Sequence, residues 1–543
     1  MFRTLIYVFL CVLMLQSCAT STKSFETSEI ALIPKPNTFQ LQESSFQFTK
    51  NTTISIENKV QEKAATYLVN LFDLAANFNF KINTNNNRAS IHFIEEKSLA
   101  PEAYQLIVTP KKITIKASNY AGYLYGIQTI RQLLPISIEK NTGETSKWLI
   151  PCVTIKDAPR FMWRAFMLDE ARYFHGEKFV KQLLDQMALL KMNIFHWHLT
   201  DDSGWRIEIK KYPLLTEIGS IRTNSEIETW GSGKSSGKPH GGYYTQEQIK
   251  DIVAYAAERN ITIVPEFDVP GHSSAAIAAY PWLGTVGKKI EVPVIFETFD
   301  VYDVTKPEVK KFVKDVLLEL FELFPSPYIH IGGDEVNYKF WNESPTVQSY
   351  MKQHNIKTPA DLQISFTNNI SNFIEQNGRR MMGWNEIMGV NIHKDVAAKK
   401  DDKNAETSLA KNVVVHFWYG SLDLAIRAAK EGYGIVNSLN RLTYLNKDYE
   451  AITLESAYNF EPIPDGLEAK YHKNIYGSGC QLWSEWTPTF KEVEYQIFPR
   501  ISAFAEVGWT ATKNKDFKSF QKSLKKIQQR WDLLGINYAK IVE

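Results

Sequence analysis

The chain has 543 residues, with Lys+Arg 62 against Asp+Glu 60 and a formal net charge of +2, so charge makes no case for nucleic acid. Its four cysteines, Cys11, Cys18, Cys152 and Cys480, have neither disulfide-scaffold nor zinc-ligand spacing. The 13 Trp and 25 Tyr supply flat faces that suit sugar rings and apolar methyls, although most belong to the core.

Residues 1–17 read as a targeting segment: Arg3 opens it and Leu5 to Leu15 is apolar, but that run is too short to span a bilayer. Leu15-Gln16-Ser17-Cys18 resembles the lipobox of bacterial lipoproteins, which would make Cys18 a lipidated N-terminus. The alternative is an ordinary secretory leader. Residues 18–29, polar and rich in Ser and Thr, then read as a tether, which predicts an envelope protein held to the membrane by its lipid alone.

Residues 30–157 have the pattern of a small accessory α/β domain. Thr53 to Ile56, Ser90 to Phe93, Tyr104 to Val108 and Lys112 to Ala117 alternate as strands, and Tyr120 to Leu134 has helical spacing. Pro151 to Pro159 reads as a junction.

Residues 158–543 alternate strands with helices. Eight strand ends fall near Leu168, Leu199, Pro265, Ile331, Trp384, Trp418, Val436 and Trp483. Thr245 with Gln248 and Thr305 with Glu308 read as capping boxes opening two of the helices. Eight repeats argue for an α/β fold of the (β/α)8 barrel type, with Phe517 to Leu534 as a packed C-terminal helix. Gly231 to Gly242 reads as a long mobile loop, and Leu283 to Asp300 as an irregular rim.

In a barrel of this kind, chemistry sits just past the strand ends. Tyr328-Ile-His-Ile-Gly-Gly-Asp-Glu335 is the most pointed of these ends: an apolar run stops in paired glycines and delivers Asp334 and Glu335. The plainer reading has Asp334 capping a helix. Other ends carry Asp201, Glu266, His272, Tyr444, Asn446 and Glu485, with Trp384, Trp418 and Trp483 on three strands. Carboxylates with aromatic walls and no nucleophilic Ser or Cys fit glycoside hydrolysis. His196 and His198, at i and i+2, could hold a metal with His272 or Asp201.

Consecutive acids cannot easily flank one glycosidic bond as a nucleophile and acid pair does. An N-acetylhexosamine removes the difficulty, because its own acetamido carbonyl can attack the anomeric carbon. One acid then protonates the leaving oxygen while the other orients the acetamido N–H.

His330-Ile-Gly-Gly-Asp-Glu335 resembles the signature of family 20 glycoside hydrolases, the β-N-acetylhexosaminidases. Phe195-His-Trp-His-Leu-Thr-Asp-Asp202, Val264-Pro-Glu-Phe-Asp-Val-Pro-Gly-His272, Tyr444-Leu-Asn446 and Leu482-Trp-Ser-Glu485 match in order. The resemblance implies that Glu335 is the general acid and base, that Asp334 orients the acetamido group, and that Tyr444 bonds its carbonyl. It implies a wall of Trp384, Trp418 and Trp483, and terminal-sugar hydroxyls held by Arg164 and Glu485, with Asn446 near the outer hydroxyls. Asp201 and His272 would hold Glu335 and raise its pKa toward working pH. The implied substrate is an N-acetylhexosamine glycan, with no metal or cofactor. Tyr173 stands where many members have His, and Asn446 where some have Asp. A glycan-binding lipoprotein without turnover is the competing expectation.

Overall fold

The structure, a computed structural model, describes residues 23–140, 147–394 and 399–540. The leader and Cys18 lie outside them. Among the described residues, no helix is long and apolar enough to cross a membrane. Two compact units divide the chain, one holding 36–158 and the other 159–543 together with Ile33–Lys35.

The first unit is a seven-stranded sheet of β1 (Thr38–Gln47), β2 (Thr53–Ile56), β3 (Lys81–Thr84), β4 (Ile91–Glu95), β5 (Tyr104–Val108), β6 (Ile113–Ala117) and β7 (Leu149–Asp157), in the order β1-β7-β5-β6-β4-β2-β3. Helices Lys59–Ala76 and Tyr120–Leu133 pack on each other, each opened by an Asn side chain that accepts a backbone N–H. The segment expected as a junction, from Pro151, is instead strand β7, antiparallel to both β1 and β5. Pro151 is tolerated because it lies beyond the β5 pairing and opposite an irregularity in β1, between Leu41 and Ser45.

The second unit is a closed eight-stranded barrel with helices between its strands. Its strands are β8 (Trp163–Asp169), β9 (Ile194–His198), β10 (Thr262–Glu266), β11 (Tyr328–His330), β12 (Arg380–Trp384), β13 (Val413–Phe417), β14 (Gly434–Asn437) and β15 (Ile475–Leu482). All eight expected strands are present, and every neighbouring pair is parallel. Alternation along each strand sorts its side chains between lumen and outer layer. Trp163, Ala165, Ile194, Val264, Met382, Val414 and Val436 fill the lower lumen as one apolar cluster. Two residues further along the same faces stand Met167, His196, Glu266, Trp384 and His416, so polarity begins where the apolar plug ends.

The Thr245 capping box forms with Gln248. The one expected at Thr305 does not. Pro307 starts that helix, and the Thr305 hydroxyl donates to Asp303 at 2.5 Å. Phe517–Leu534 is helical as expected.

Candidate active site

Strand register builds the floor of the site. Glu266 lies level with His198 on one side and His330 on the other, and His198 is level with Asp169. All four are buried. Glu266 Oε2 is 2.8 Å from both His196 Nε2 and His198 Nδ1, while Oε1 is 3.1 Å from His330 Nδ1 and accepts from Trp384 Nε1 at 2.9 Å. Burial opposes the Glu266 charge, but the three imidazoles outweigh it and hold the carboxyl well below the usual range. The two histidines that the sequence offered to a metal thus share a carboxylate.

Above this floor, the rings of Trp384, Trp418, Tyr444 and Trp483 form a closed box. Neighbouring centroids are 5.9 to 6.5 Å apart, with Trp418 and Tyr444 nearly parallel at 9°. Met167 packs at the base. Trp384 is pinned by Glu266, and Trp418 donates its indole N–H to Glu386 at 2.9 Å. Burial, with the Asp334 charge nearby, pushes the Tyr444 hydroxyl well above its ordinary value, so it stays a donor.

Asp334 and Glu335 follow β11 through Gly332 and Gly333, at φ +61° and +85°. A Cβ on Gly332 would stand 1.8 Å from Asp268 Oδ1, so glycine lets the acid loop close over Asp268. Asp334 is buried and its Oδ1 has no hydrogen-bond partner. Burial pushes its pKa up to about 7 against the pull of His272. Glu335 turns the other way and keeps 42% of its side chain exposed. Adjacent acids therefore do different work, and the capping reading of Asp334 is not what its buried carboxylate shows.

His272 links Glu335 to the floor. Its Nε2 is 3.8 Å from Glu335 Oε2, and its Nδ1 is 3.4 Å from Asp201 Oδ1 and 3.2 Å from Asp202 Oδ2. Asp201 Oδ2 in turn meets His198 Nε2 at 2.9 Å and the Arg172 guanidinium at 2.8 Å. Burial alone would raise Asp201, but Arg172, His272 and His198 hold it far below the carboxylate range. His272 is raised well above its usual value, Asp201 and Asp202 overcoming burial. The expectation that this array raises Glu335 is not met. Burial does push the carboxyl up, but Lys399, His272, His393 and Arg172 outweigh it and leave the pKa lowered.

Arg164 is misplaced by the sequence reading. It stands at the start of β8, away from the end where the site forms, and it faces outward. It is buried, donating to Lys191 O at 2.9 Å and Phe161 O at 2.8 Å, with its guanidinium over Trp509. The pocket arginine is Arg172, three residues beyond Asp169. Arg172 lies over the Trp483 ring at 4.9 Å and lines the same cleft as Glu485, Glu335 and His272. A signal for it was present, since it follows a strand end. Glu485 is buried, and burial pushes its pKa up to about 7 against Arg172. Asn446 is partly buried two residues past Tyr444, its Oδ1 without a hydrogen-bond partner, and it lines neither cavity beside Glu335.

The cleft outside the box has a volume of about 410 Å³ and opens to solvent, and its outer wall is Trp230, Phe296, Glu297 and Thr298. Of the irregular segment 283–300, residues 296–298 thus form part of the rim. Gly231 to Gly242, expected as a long mobile loop, begins in a hydrogen-bonded hairpin: Ile227 N donates to Lys234 O at 3.2 Å and Ser236 N to Ser225 O at 2.8 Å.

A parallel eight-stranded barrel with two acids at a strand end, an aromatic box and a carboxylate-histidine array has the build of a glycoside hydrolase. Residues 161–512 match the catalytic domain of glycosyl hydrolase family 20, and residues 29–158 match domain 2 of that family. The chain belongs to glycosyl hydrolase family 20. It is 33% identical to a beta-hexosaminidase of Porphyromonas gingivalis, over 97% of this chain and 67% of that protein. It is 35% identical to a beta-hexosaminidase of Vibrio furnissii, over 89% of this chain and 77% of the relative. Among solved structures, a GH20 exo beta-N-acetylglucosaminidase from Vibrio harveyi in complex with N-acetylglucosamine superposes with a TM-score of 0.81 at 33% identity, covering 95% of this chain and 79% of that one.

Proposed function

We propose that this protein is an exo-acting, retaining β-N-acetylhexosaminidase that releases terminal β-linked GlcNAc or GalNAc through an oxazoline intermediate. The observation that carries the reading is the opposed placement of Asp334 and Glu335: one carboxylate buried beside the aromatic box, the next at the mouth. The acetamido methyl enters the box of Trp384, Trp418, Tyr444 and Trp483. The unpartnered Asp334 Oδ1 accepts the acetamido N–H, and the Tyr444 hydroxyl donates to the acetamido oxygen. That oxygen attacks C1 as the bond from C1 to the leaving oxygen breaks, and Glu335 gives its proton to the leaving oxygen. Ionised Asp334 stabilises the positive charge on the forming oxazoline. Water then attacks C1 from the vacated side as the bond from C1 to the acetamido oxygen breaks, giving its proton to Glu335, and the configuration is retained.

The surrounding cations make Glu335 favour its charged form. A bound sugar excludes water from the mouth and strengthens burial, which favours uptake of the proton Glu335 must donate. Arg172 and Glu485, which line the same cleft with opposite charges, hold ring hydroxyls of the terminal sugar, and recognition of that non-reducing end makes the action exo. The names of the relatives support the substrate class. Anchoring at Cys18 in the cell envelope is proposed on the Leu15 to Cys18 motif alone.

The test is hydrolysis of aryl β-glycosides of GlcNAc, GalNAc and glucose, with and without a thiazoline mimic of the oxazoline. Cleavage confined to the N-acetyl sugars and blocked by the thiazoline is expected. A substantial rate on the glucoside would overturn the mechanism.

A further inference from the structure

Glu335 stands where the inner box opens into the outer cleft. Glu335 lines that cleft together with Arg172 and Glu485, the residues assigned to the terminal sugar, and with Trp230, Phe296, Glu297 and Thr298, while Trp384, Trp418, Tyr444 and Trp483 do not. The oxygen Glu335 protonates must lie within its reach, so the group attached to that oxygen projects into the outer cleft. The cleft volume of about 410 Å³ lies within the range of small-molecule sites and leaves room for a ring beside the terminal sugar.

The outer wall is aromatic and held in place. Trp230 is 54% exposed, edge-on to Trp486 with centroids 5.1 Å apart, and Phe296 backs Trp486 at 5.3 Å. The hairpin turn that carries Trp230 has Gly231 at φ +68° and Ser232 N donating to Thr229 O at 3.1 Å. Glu226 N donates to Val294 O at 2.7 Å, tying this hairpin to the segment that carries Phe296. Thr298 then donates to Asp202 at 2.7 Å, the same carboxylate that meets His272. A large exposed indole, braced from behind and anchored to the acid's own support, is a platform for a flat apolar face.

We propose that Trp230, braced by Trp486 and Phe296, forms a leaving-group subsite that takes a neutral hexopyranose on the reducing side of the scissile bond. The ring stacks its C–H face on the exposed indole while its glycosidic oxygen meets Glu335. The inference rests on the hydrolase reading above and adds a preference for saccharide over small leaving groups.

The experiment compares N,N'-diacetylchitobiose with N-acetyl-β-glucosaminyl fluoride, whose leaving group is too small to reach Trp230. Hydrolysis of the fluoride by the unsubstituted protein tests the chemistry alone, and its failure would sink the hydrolase reading. Trp230→Ala is expected to lower kcat/KM on the disaccharide by about ten-fold, the loss of one stacking contact, through a raised KM, with the fluoride rate little changed. Trp230→Phe is expected to recover most of the disaccharide activity. Equal losses on both substrates would overturn the subsite, because the residue would then act on the inner pocket or the fold. An unchanged disaccharide rate would overturn it too, as would a protein that cleaves the fluoride but not the disaccharide.

Discussion

Glu335 and His272 face one another with 3.8 Å between Oε2 and Nε2, and both hold left-handed backbone, at φ +50° and +46°. Each such non-glycine residue costs about 1–3 kcal/mol, which the surrounding structure must overcome. Two strained residues meeting side chain to side chain mark the point where geometry is maintained against local preference. The loops after β10 and β11 are bent so that an imidazole and a carboxyl meet.

Glu335→Gln keeps the shape of the side chain and removes its proton. The expected result is a fall in kcat/KM of about 10²–10⁴-fold on N-acetyl glycosides with poor leaving groups, with an unchanged circular dichroism spectrum. Near-normal turnover would remove Glu335 from the acid role.

Arg172 and Arg164 separate function from stability. Arg172→Ala is expected to raise KM and lower kcat/KM, because Arg172 lines the cleft and charges Asp201. Arg164→Ala leaves the Lys191 and Phe161 carbonyls without their charged donor. It should cost about 2 kcal/mol or more of stability while the folded fraction keeps its KM. Denaturant unfolding beside steady-state kinetics reads both, and a specific KM defect in Arg164→Ala would reverse the assignment.

Lys399 is the leading cation acting on Glu335. The general acid must be protonated, so kcat/KM falls as pH rises through its free-enzyme pKa. Removing a cation that favours the carboxylate raises that pKa. The basic limb of the pH profile should therefore move to higher pH in Lys399→Ala, and an unmoved limb would show that Lys399 does not act on the acid.

Glu506 is buried against Lys35 N and the Thr510 hydroxyl, and burial raises its pKa to about 7. A raised acid binds its proton more tightly when folded, so its contribution declines as pH rises from the unfolded value near 4.5 to about 7, then levels. Glu506→Gln should flatten that part of the stability curve and raise Tm at pH 8 relative to pH 5, compared with the unsubstituted protein. A parallel curve would mean that Glu506 does not titrate in this window.

Much of the site was legible because barrel strands announce themselves locally. Apolar runs mark the eight strand ends, and Asp334, Glu335, Tyr444 and the three tryptophans all lie at or beyond one of them. Local pattern also carries the helices, whose caps and apolar stripes are short-range features.

What the pattern did not carry was direction and sign. Arg164 and Arg172 flank the same strand, and only the closed barrel decides that one faces outward at its start while the other reaches the pocket. Pro151 reads locally as a break, and the register shift of β1 between Leu41 and Ser45, opposite it, is what lets it lie in a strand. The sign of the Glu335 shift depends on Lys399 and His393, brought to it from a loop more than fifty residues away. Residue types and spacing determine which groups are available. Electrostatics falls off with distance through space, not along the chain, so which charges meet is decided by the tertiary fold.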